Sequence, residues 1–255
     1  NFYALWAAPL LAFTLPGAVS WIKNKGSWIK IICWLLGAAG LFLSMSRAGW
    51  LGLAAAVGVY ALVAADKKIR RLIFAGGVVL ALAAAAVPNL RYRVILPFYG
   101  EKSAVSRLSL WQTGWKGVAE SPITGLGLTG FARQWPVLNT DPNIDTHNFP
   151  HNIFLDMWVE LGLAGLIGFI GLIGYGLYRG LHKRHRPKID TVLPDNLAGK
   201  QLAEAQALDF EEMQNQTFRF ALALAIIAIL FQGLVDNPYF KNDLALVFWM
   251  LYAFI

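Results

Sequence analysis

Long apolar runs, separated by short polar connections, fill most of this chain. Several of the runs approach the length of about 20 residues that an α-helix needs to cross a lipid bilayer. The pattern predicts an all-α protein, a polytopic transmembrane helical bundle with a long, partly helical loop, which the distribution of basic residues places on the outer side. The seven predicted spans cover about residues 2–20, 28–44, 49–65, 72–87, 152–178, 220–235 and 244–255.

Composition excludes a soluble protein with buried core helices. The chain is 57% hydrophobic and only 15% charged, too little polar surface to cover such segments. We expect a single membrane domain, the C-terminal part of a larger membrane protein, because the chain starts inside an apolar run without a visible signal peptide. The lone Cys33 lies within a predicted span and implies no disulfide.

Basic residues are distributed unevenly among the connections between spans. The first connection, the third and the long connection over 179–219 hold 14 of the 22 Lys and Arg residues. If the spans alternate in direction, these three connections share one side, and the positive-inside rule makes that side cytoplasmic. This asymmetry, together with anionic lipid, accounts for the net charge of +7 without nucleic acid as a partner.

The outer loop, 88–150, is too long to be a simple connector, and loops of that length are usually functional. Within it, Val105–Glu120 has helical spacing that places Leu108, Trp111, Trp115 and Val118 on one face, and Ser121-Pro122 should end the helix. Such a helix would lie near the outer membrane surface with its tryptophans at headgroup depth. Arg107, near its start, is a candidate ligand for lipid headgroups or for an anionic substrate.

His151 follows Pro150 at the start of a long apolar run. Proline is favoured at the first helical position, so we predict that Pro150 opens the helix and that the imidazole lies in its first turn. The positive end of the helix dipole disfavours an imidazolium there, and a neutral histidine at a water–lipid boundary is suited to act as a general base. The alternative is that His151 merely caps or anchors the helix.

Charged and polar residues also occur at positions within or close to predicted spans. Arg47 lies in a very short break between two spans, where an arginine is costly unless it reaches water or meets an anion. Asn152, Asp156 and Glu160 repeat with i,i+4 spacing below His151. The two carboxylates are candidates to pair with an arginine, to orient the histidine or to line a cavity, and packing between helices is the alternative for each of them.

Two apparent motifs carry little weight. The GxGxxG pattern over 125–130 follows no predicted strand, and turns are the better interpretation. His147 and His151 have the spacing of a zinc pair, but Pro150 interrupts the helix that they would share and no HExxH glutamate is present. We therefore expect no metal and no other cofactor.

A set of short motifs, taken in order, resembles the shared C-terminal region of bacterial O-antigen ligases and polymerases. Each motif is weak alone, but together they extend from about Phe2 to the end of the chain in the order and spacing of that family. The motifs are Ser44-Met45-Ser46-Arg47-Ala48-Gly49-Trp50, Ser106-Arg107-Leu108-Ser109-Leu110-Trp111, Ser121-Pro122-Ile123-Thr124-Gly125-Leu126-Gly127, His151-Asn152-Ile153-Phe154-Leu155, Glu160-Leu161-Gly162, Val235-Asp236 and Val247-Phe248-Trp249.

The resemblance implies a metal-independent, inverting glycosyltransferase at the outer face of the bacterial inner membrane. Such an enzyme moves a glycan from a polyprenyl (undecaprenyl) diphosphate carrier to an acceptor hydroxyl, such as one on lipid A-core. By motif match, His151 takes the position of the general base, and Arg47 and Arg107 take those of the arginines that hold the diphosphate. Further substrate contacts are expected from Asn152, His147, Glu160 and Asp236.

Three other interpretations remain open. A polymerase of the same family would differ from a ligase only in its acceptor. A transporter of lipid-linked glycans would also carry basic residues in a cavity, but would not need a base beside the diphosphate. A purely structural membrane protein would need none of the three residues.

Overall fold

The computed structural model describes residues 2–23, 28–88, 91, 102–139, 148–182, 198–236, 248–249 and 252–254. Within these ranges the regular structure is helical, without strands, which confirms the predicted all-α fold. Eight helices have both ends within the described ranges: α1 (Phe2–Lys23), α2 (Trp28–Leu43), α3 (Arg47–Val63), α4 (Lys67–Ala86), α5 (Lys102–Glu120), α6 (Gly130–Leu138), α7 (Ile153–Leu181) and α8 (Ala198–Gly233).

Helices α1, α3 and α8 form the centre of the bundle. Gly52 allows α3 and α8 to approach closely, because a Cβ atom at that position would lie 2.5 Å from the carbonyl oxygen of Ala228. Further along, the rings of Tyr60 and Phe220 meet at 6.1 Å. Residue numbers rise on α3 as they fall on α8, so the two helices are antiparallel. The amide of Gln232 joins α8 to the start of α1 by donating to Ala4 O at 2.8 Å.

In the part of the chain that the structure describes, four helices contain stretches long and apolar enough to cross a membrane: Tyr3–Ile22, Lys67–Ala86, Ile153–Leu181 and Ala207–Gly233. The apolar helices α2 and α3 are shorter, with 16 and 17 residues. Helix α4 buries none of its residues in the chain, as expected of a helix whose apolar side chains contact lipid. Most of the seventh predicted span, 244–255, lies outside the described residues.

The bundle has two chemically different ends. At one end, called the basic end below, α3 and α7 finish and α4 begins, and this end carries Lys67, Arg71, Arg179 and Arg219. At the opposite end α3 and α7 begin and α8 finishes. Arg47 and His151 therefore share one end of the bundle, as the alternation of spans predicted.

In the connection predicted over 179–219, residues 198–219 are helical. Helix α8 begins at Ala198 and has 36 residues, which corresponds to about 54 Å. Its apolar, buried part begins near Phe220, so the polar first turns extend α8 well beyond the bundle. The hydropathy pattern predicted only the membrane-spanning part of α8, because its exposed polar part contains no apolar run.

Helix α7 is broken at Gly162, which has a non-helical conformation with φ 70° and ψ −172°. The rings of Phe154 and Phe169 lie 6.1 Å apart, whereas a straight helix would separate these residues by about 22 Å along its axis. The first part of α7, through Leu161, therefore folds back against the second part. The prediction of one span over 152–178 did not include this break.

The turn between α5 and α6 supplies the hydrogen bonds that the break in α7 would otherwise leave unmade. Leu126 N donates to Val159 O at 2.7 Å, and Gly127 N donates to Glu160 O at 3.0 Å. Leu163 N, at the start of the second part, donates to Pro122 O at 3.1 Å. The glycine-rich stretch over 125–130 is thus a turn, as predicted, and together with Pro122 it caps both sides of the break.

Helix α5 forms as predicted and ends before Ser121, but its buried face differs from the predicted one. Leu110 and Thr113 are buried against α7, with Gly114 in contact with Leu155. Leu108 and Trp115, which were predicted to share one apolar face, are more than half exposed. Leu110, Gly114 and Val118 face the protein, so the exposed side chains of Leu108 and Trp115 remain available to lipid.

Candidate functional site

His151 lies just outside α7 and not in its first turn, contrary to the sequence prediction. The helix begins at Ile153, and Asn152 is its N-cap, accepting hydrogen bonds from Phe154 N and Leu155 N at 3.1 Å each. His151 itself has φ 54°, a left-handed conformation that is uncommon for a residue with a side chain. Pro150 did not open the helix because the asparagine side chain provides the stronger start.

Asp236 fixes the orientation of the His151 ring. The Nδ1 atom of His151 lies 3.0 Å from Oδ1 of Asp236, a residue that follows the end of α8. A carboxylate only accepts hydrogen bonds, so Nδ1 carries the proton and donates it to Asp236. In the neutral ring the lone pair then lies on Nε2, on the other side of the imidazole.

A second hydrogen bond joins the same two chain segments. Asn152 Nδ2 donates to Leu234 O at 3.2 Å, while its Oδ1 caps α7. Asp236 N in turn donates to Gln232 O at 3.0 Å, which closes the end of α8. The start of α7 and the end of α8 are therefore bonded through both side chain and backbone, and the left-handed conformation of His151 is held by its surroundings.

Gln232, below this junction, was missed by the sequence analysis. Its side chain is fully buried, and its amide nitrogen is bound to Ala4 O. Its Oε1 atom is also buried and accepts no hydrogen bond from the described residues. A glutamine within the apolar run of α8 was the available signal, because a buried amide in a span is costly unless it is bonded.

Arg47 is the first residue of α3, directly after the N-cap Ser46. The contact of Gly52 on α3 with Gln232 on the antiparallel helix α8 shows how far along the bundle Arg47 lies. Arg47 lies about 7 Å before Gly52 along its helix axis, and Asp236 lies beyond Gln232 at the end of α8. The half-buried guanidinium therefore belongs to the same end of the bundle as the His151–Asp236 pair.

Arg107 lies near the start of α5 and is half-buried. Helix α5 contacts the beginning of α7, since a Cβ atom at Gly114 would lie 3.3 Å from Pro150 Cβ and closer still to Leu155. Helix α5 and the first part of α7 run in the same direction along this contact. Arg107 lies about two turns before Gly114 on α5. It is thus positioned on the His151 side of the α5–α7 contact.

The other residues that were predicted to contact the substrate lie in different parts of the structure. Asn152 and Asp236 are in the site, where they act on α7 and on His151. Glu160 is buried at the break in α7, and its carboxylate accepts a hydrogen bond from the Thr129 backbone near Arg133. It lies about 13 Å along the helix from His151. His147 lies outside the described residues, and so do the contacts that would test a zinc pair.

These observations describe a helical membrane protein that holds a carboxylate-oriented histidine and an arginine at one end of its bundle. Residues 31–170, more than half of the chain, match the model of the family described as O-antigen ligase. The chain belongs to this family, whose members are ligases or polymerases of the glycosyltransferase type. Arg47, Arg107 and His151 fall within the matched range and Asp236 lies beyond it. Comparisons with curated proteins and with solved structures gave no match.

Proposed function

We propose that this protein is a ligase that transfers a glycan from a polyprenyl diphosphate carrier to a hydroxyl of a separate acceptor, such as lipid A-core. The observation that carries the proposal is the His151–Asp236 hydrogen bond at the end of the bundle that also carries Arg47. The basic end then faces the cytoplasm and the site faces the periplasm, in the bacterial inner membrane.

His151 serves as the general base. With Nδ1–H donated to Asp236, Nε2 accepts the proton of the acceptor hydroxyl as its oxygen attacks the anomeric carbon. The bond between that carbon and the diphosphate oxygen breaks, and attack from the opposite side inverts the anomeric centre. Asp236 stabilises the imidazolium that forms, since a carboxylate beside Nδ1 favours the charged ring.

Arg47 and Arg107 bind the diphosphate of the donor. A guanidinium binds phosphate oxygens in a bidentate manner and stays charged at any working pH. Two guanidiniums compensate the charge that develops on the departing diphosphate, so the reaction needs no metal ion. Glu160, buried at the α7 break, has no direct contact with substrate in this mechanism.

An apolar cavity beside the site suits the hydrocarbon part of a lipid-linked substrate. It has a volume of about 330 Å³, extends from Asn152 to Ile170, and is walled by Trp111, Trp115 and Trp158. It lies between α5 and the folded-back first part of α7. A lipid chain held there would leave its diphosphate at the level of Asn152, next to His151.

The second candidate function is polymerisation, in which the acceptor is another lipid-linked glycan. The assay that separates the two gives purified full-length protein a lipid-linked repeat unit, with and without lipid A-core. Product on lipid A-core alone supports the ligase, whereas growth of the carrier-linked chain without added acceptor contradicts it in favour of the polymerase.

A control variant distinguishes an enzyme from a transporter of lipid-linked glycans. His151→Ala should abolish transfer, while His182→Ala, which changes an exposed histidine at the basic end, should leave it unchanged. Movement of the lipid-linked glycan across vesicles that survives His151→Ala, with no transfer activity in the unchanged protein, would favour the transporter.

A further inference from the structure

A cavity lies at the basic end of the bundle, far from His151. Its volume is about 490 Å³, within the range of about 300–1,000 Å³ that is usual for small-molecule sites. Residues of α1, α3, α7 and α8 line it, among them Pro16, Tyr60, Arg179 and Phe220. The glycosyl transfer proposed above makes no use of this cavity.

Polar groups that suit a phosphate are among the residues that line the cavity. Arg179 and Arg219 both line it and are half-buried, and no Asp or Glu is among its described lining residues. Gln216 adds a buried amide nitrogen, Nε2, that donates no hydrogen bond to any described residue. Two guanidiniums and an unused amide donor suit a ligand that is rich in anionic oxygen atoms, such as a phosphate.

Arg179 is held in position for such contacts. Its Nη1 atom donates to the Tyr175 hydroxyl at 3.0 Å, and its guanidinium lies over the same ring, 5.8 Å from the centroid. That hydrogen bond uses one of the five N–H donors of an arginine. The side chain is thus ordered by Tyr175 before any ligand binds, which lowers the entropic cost of binding.

The depth of the cavity in the bundle points to a lipid. On α8 the residues change from polar to apolar and buried between Gln216 and Ala221, and on α7 the apolar run ends at Arg179. These boundaries are where the headgroups of a bilayer lie. Other residues that line the cavity, among them Pro16, Tyr60 and Phe220, present apolar and aromatic surface that suits the glycerol and upper acyl carbons.

We propose that this cavity binds the phosphate group of an anionic glycerophospholipid, with Arg179, Gln216 and Arg219 as its ligands. Basic pockets between transmembrane helices are a known way for proteins to bind anionic lipid headgroups. The bound lipid would link α1, α3, α7 and α8 at the end of the bundle opposite to the transfer site. This site is independent of the proposed glycosyl transfer.

Native mass spectrometry of the full-length protein in detergent tests the proposal, with added phosphatidylglycerol as the probe and phosphatidylcholine for comparison. The double variant Arg179→Gln/Arg219→Gln should retain phosphatidylglycerol at least about tenfold less well than the unchanged protein. The matched control is Arg71→Gln, which removes an exposed arginine of α4 at the same end and should change retention less than about threefold.

A cavity-filling variant covers the case in which the double variant does not fold. Val63 also lines the cavity, and Val63→Trp keeps every charge but fills part of the space, so it should also lower phosphatidylglycerol retention. Equal losses in the Arg71→Gln and double variants would mean general surface attraction and would overturn the proposal. So would equal retention of phosphatidylcholine, or displacement of the lipid by millimolar inorganic phosphate, which would indicate a site for free phosphate.

Discussion

Gly125 and Gly162 meet backbone to backbone, so closely that a Cβ atom on Gly125 would lie 2.5 Å from both Glu160 O and Gly162 N. Both glycines have positive φ angles, 73° and 70°. Two motifs that are far apart in the sequence are therefore one structural unit. The unit breaks α7, folds its first part back, and so determines where His151 is presented.

Gly162→Ala should lower the stability of the protein by more than about 2 kcal/mol, because alanine is strained at this φ and its Cβ would overlap the Ile123 carbonyl. Thermal unfolding in detergent measures the effect. Gly168→Ala is the matched control on the same helix, where a Cβ atom meets nothing within 4 Å. Its effect should stay within about 1 kcal/mol. Equal stability of the two variants would contradict the close packing at the break.

Asp236→Asn should reduce the transfer rate less than His151→Ala, for which loss of a general base gives about 10²–10⁴-fold. The asparagine oxygen can still accept from Nδ1, but the negative charge that favours the imidazolium is lost. Steady-state transfer rates measure this, with Asp209→Asn, on the exposed polar part of α8, as the control.

The double variant His151→Ala/Asp236→Asn tests whether the two residues act together. If Asp236 acts through His151, the double variant should be no slower than His151→Ala alone. A double variant slower by the product of the two separate losses would show that Asp236 has a role of its own.

Arg47→Lys and Arg107→Lys should each impair transfer, because lysine keeps the charge but loses the bidentate geometry. Transfer assays with increasing donor concentration measure the loss. EDTA should have no effect on transfer by the unchanged protein, because the arginines compensate the diphosphate charge without a metal ion. Arg133→Lys, on the exposed face of α6, is the control. Full activity of both variants would place diphosphate binding elsewhere, and inhibition by EDTA that Mg²⁺ reverses would contradict a metal-independent reaction.

Cysteine labelling in intact cells should place the two ends of the bundle on opposite sides of the membrane. In a Cys33→Ala background, Leu128→Cys should react with an impermeant reagent, whereas Lys68→Cys should react only after the cells are opened. Both positions are exposed in the structure, so burial would not explain a difference. The reverse pattern would contradict the proposed orientation.

Hydropathy and charge along the chain were enough to predict an all-helical membrane bundle and the common end of Arg47 and His151. These features depend on local properties, since a bilayer selects apolar runs by length and basic residues by side. The motif set also predicted the family, because the residues within each motif are adjacent in the sequence and can be recognised without the tertiary structure.

Only the tertiary structure revealed the break in α7 and the partner of His151. A glycine within a helical pattern costs only about 1 kcal/mol, so sequence alone did not distinguish a tolerated Gly162 from a break that the turn after α5 stabilises. The sequence predicted that α7 begins at Pro150, whereas it begins at Ile153, because the Asn152 side chain caps the helix. The His151–Asp236 bond joins residues separated by 85 positions and forms because the end of α8 packs against the start of α7. Such a contact depends on how whole helices pack, which no local pattern records.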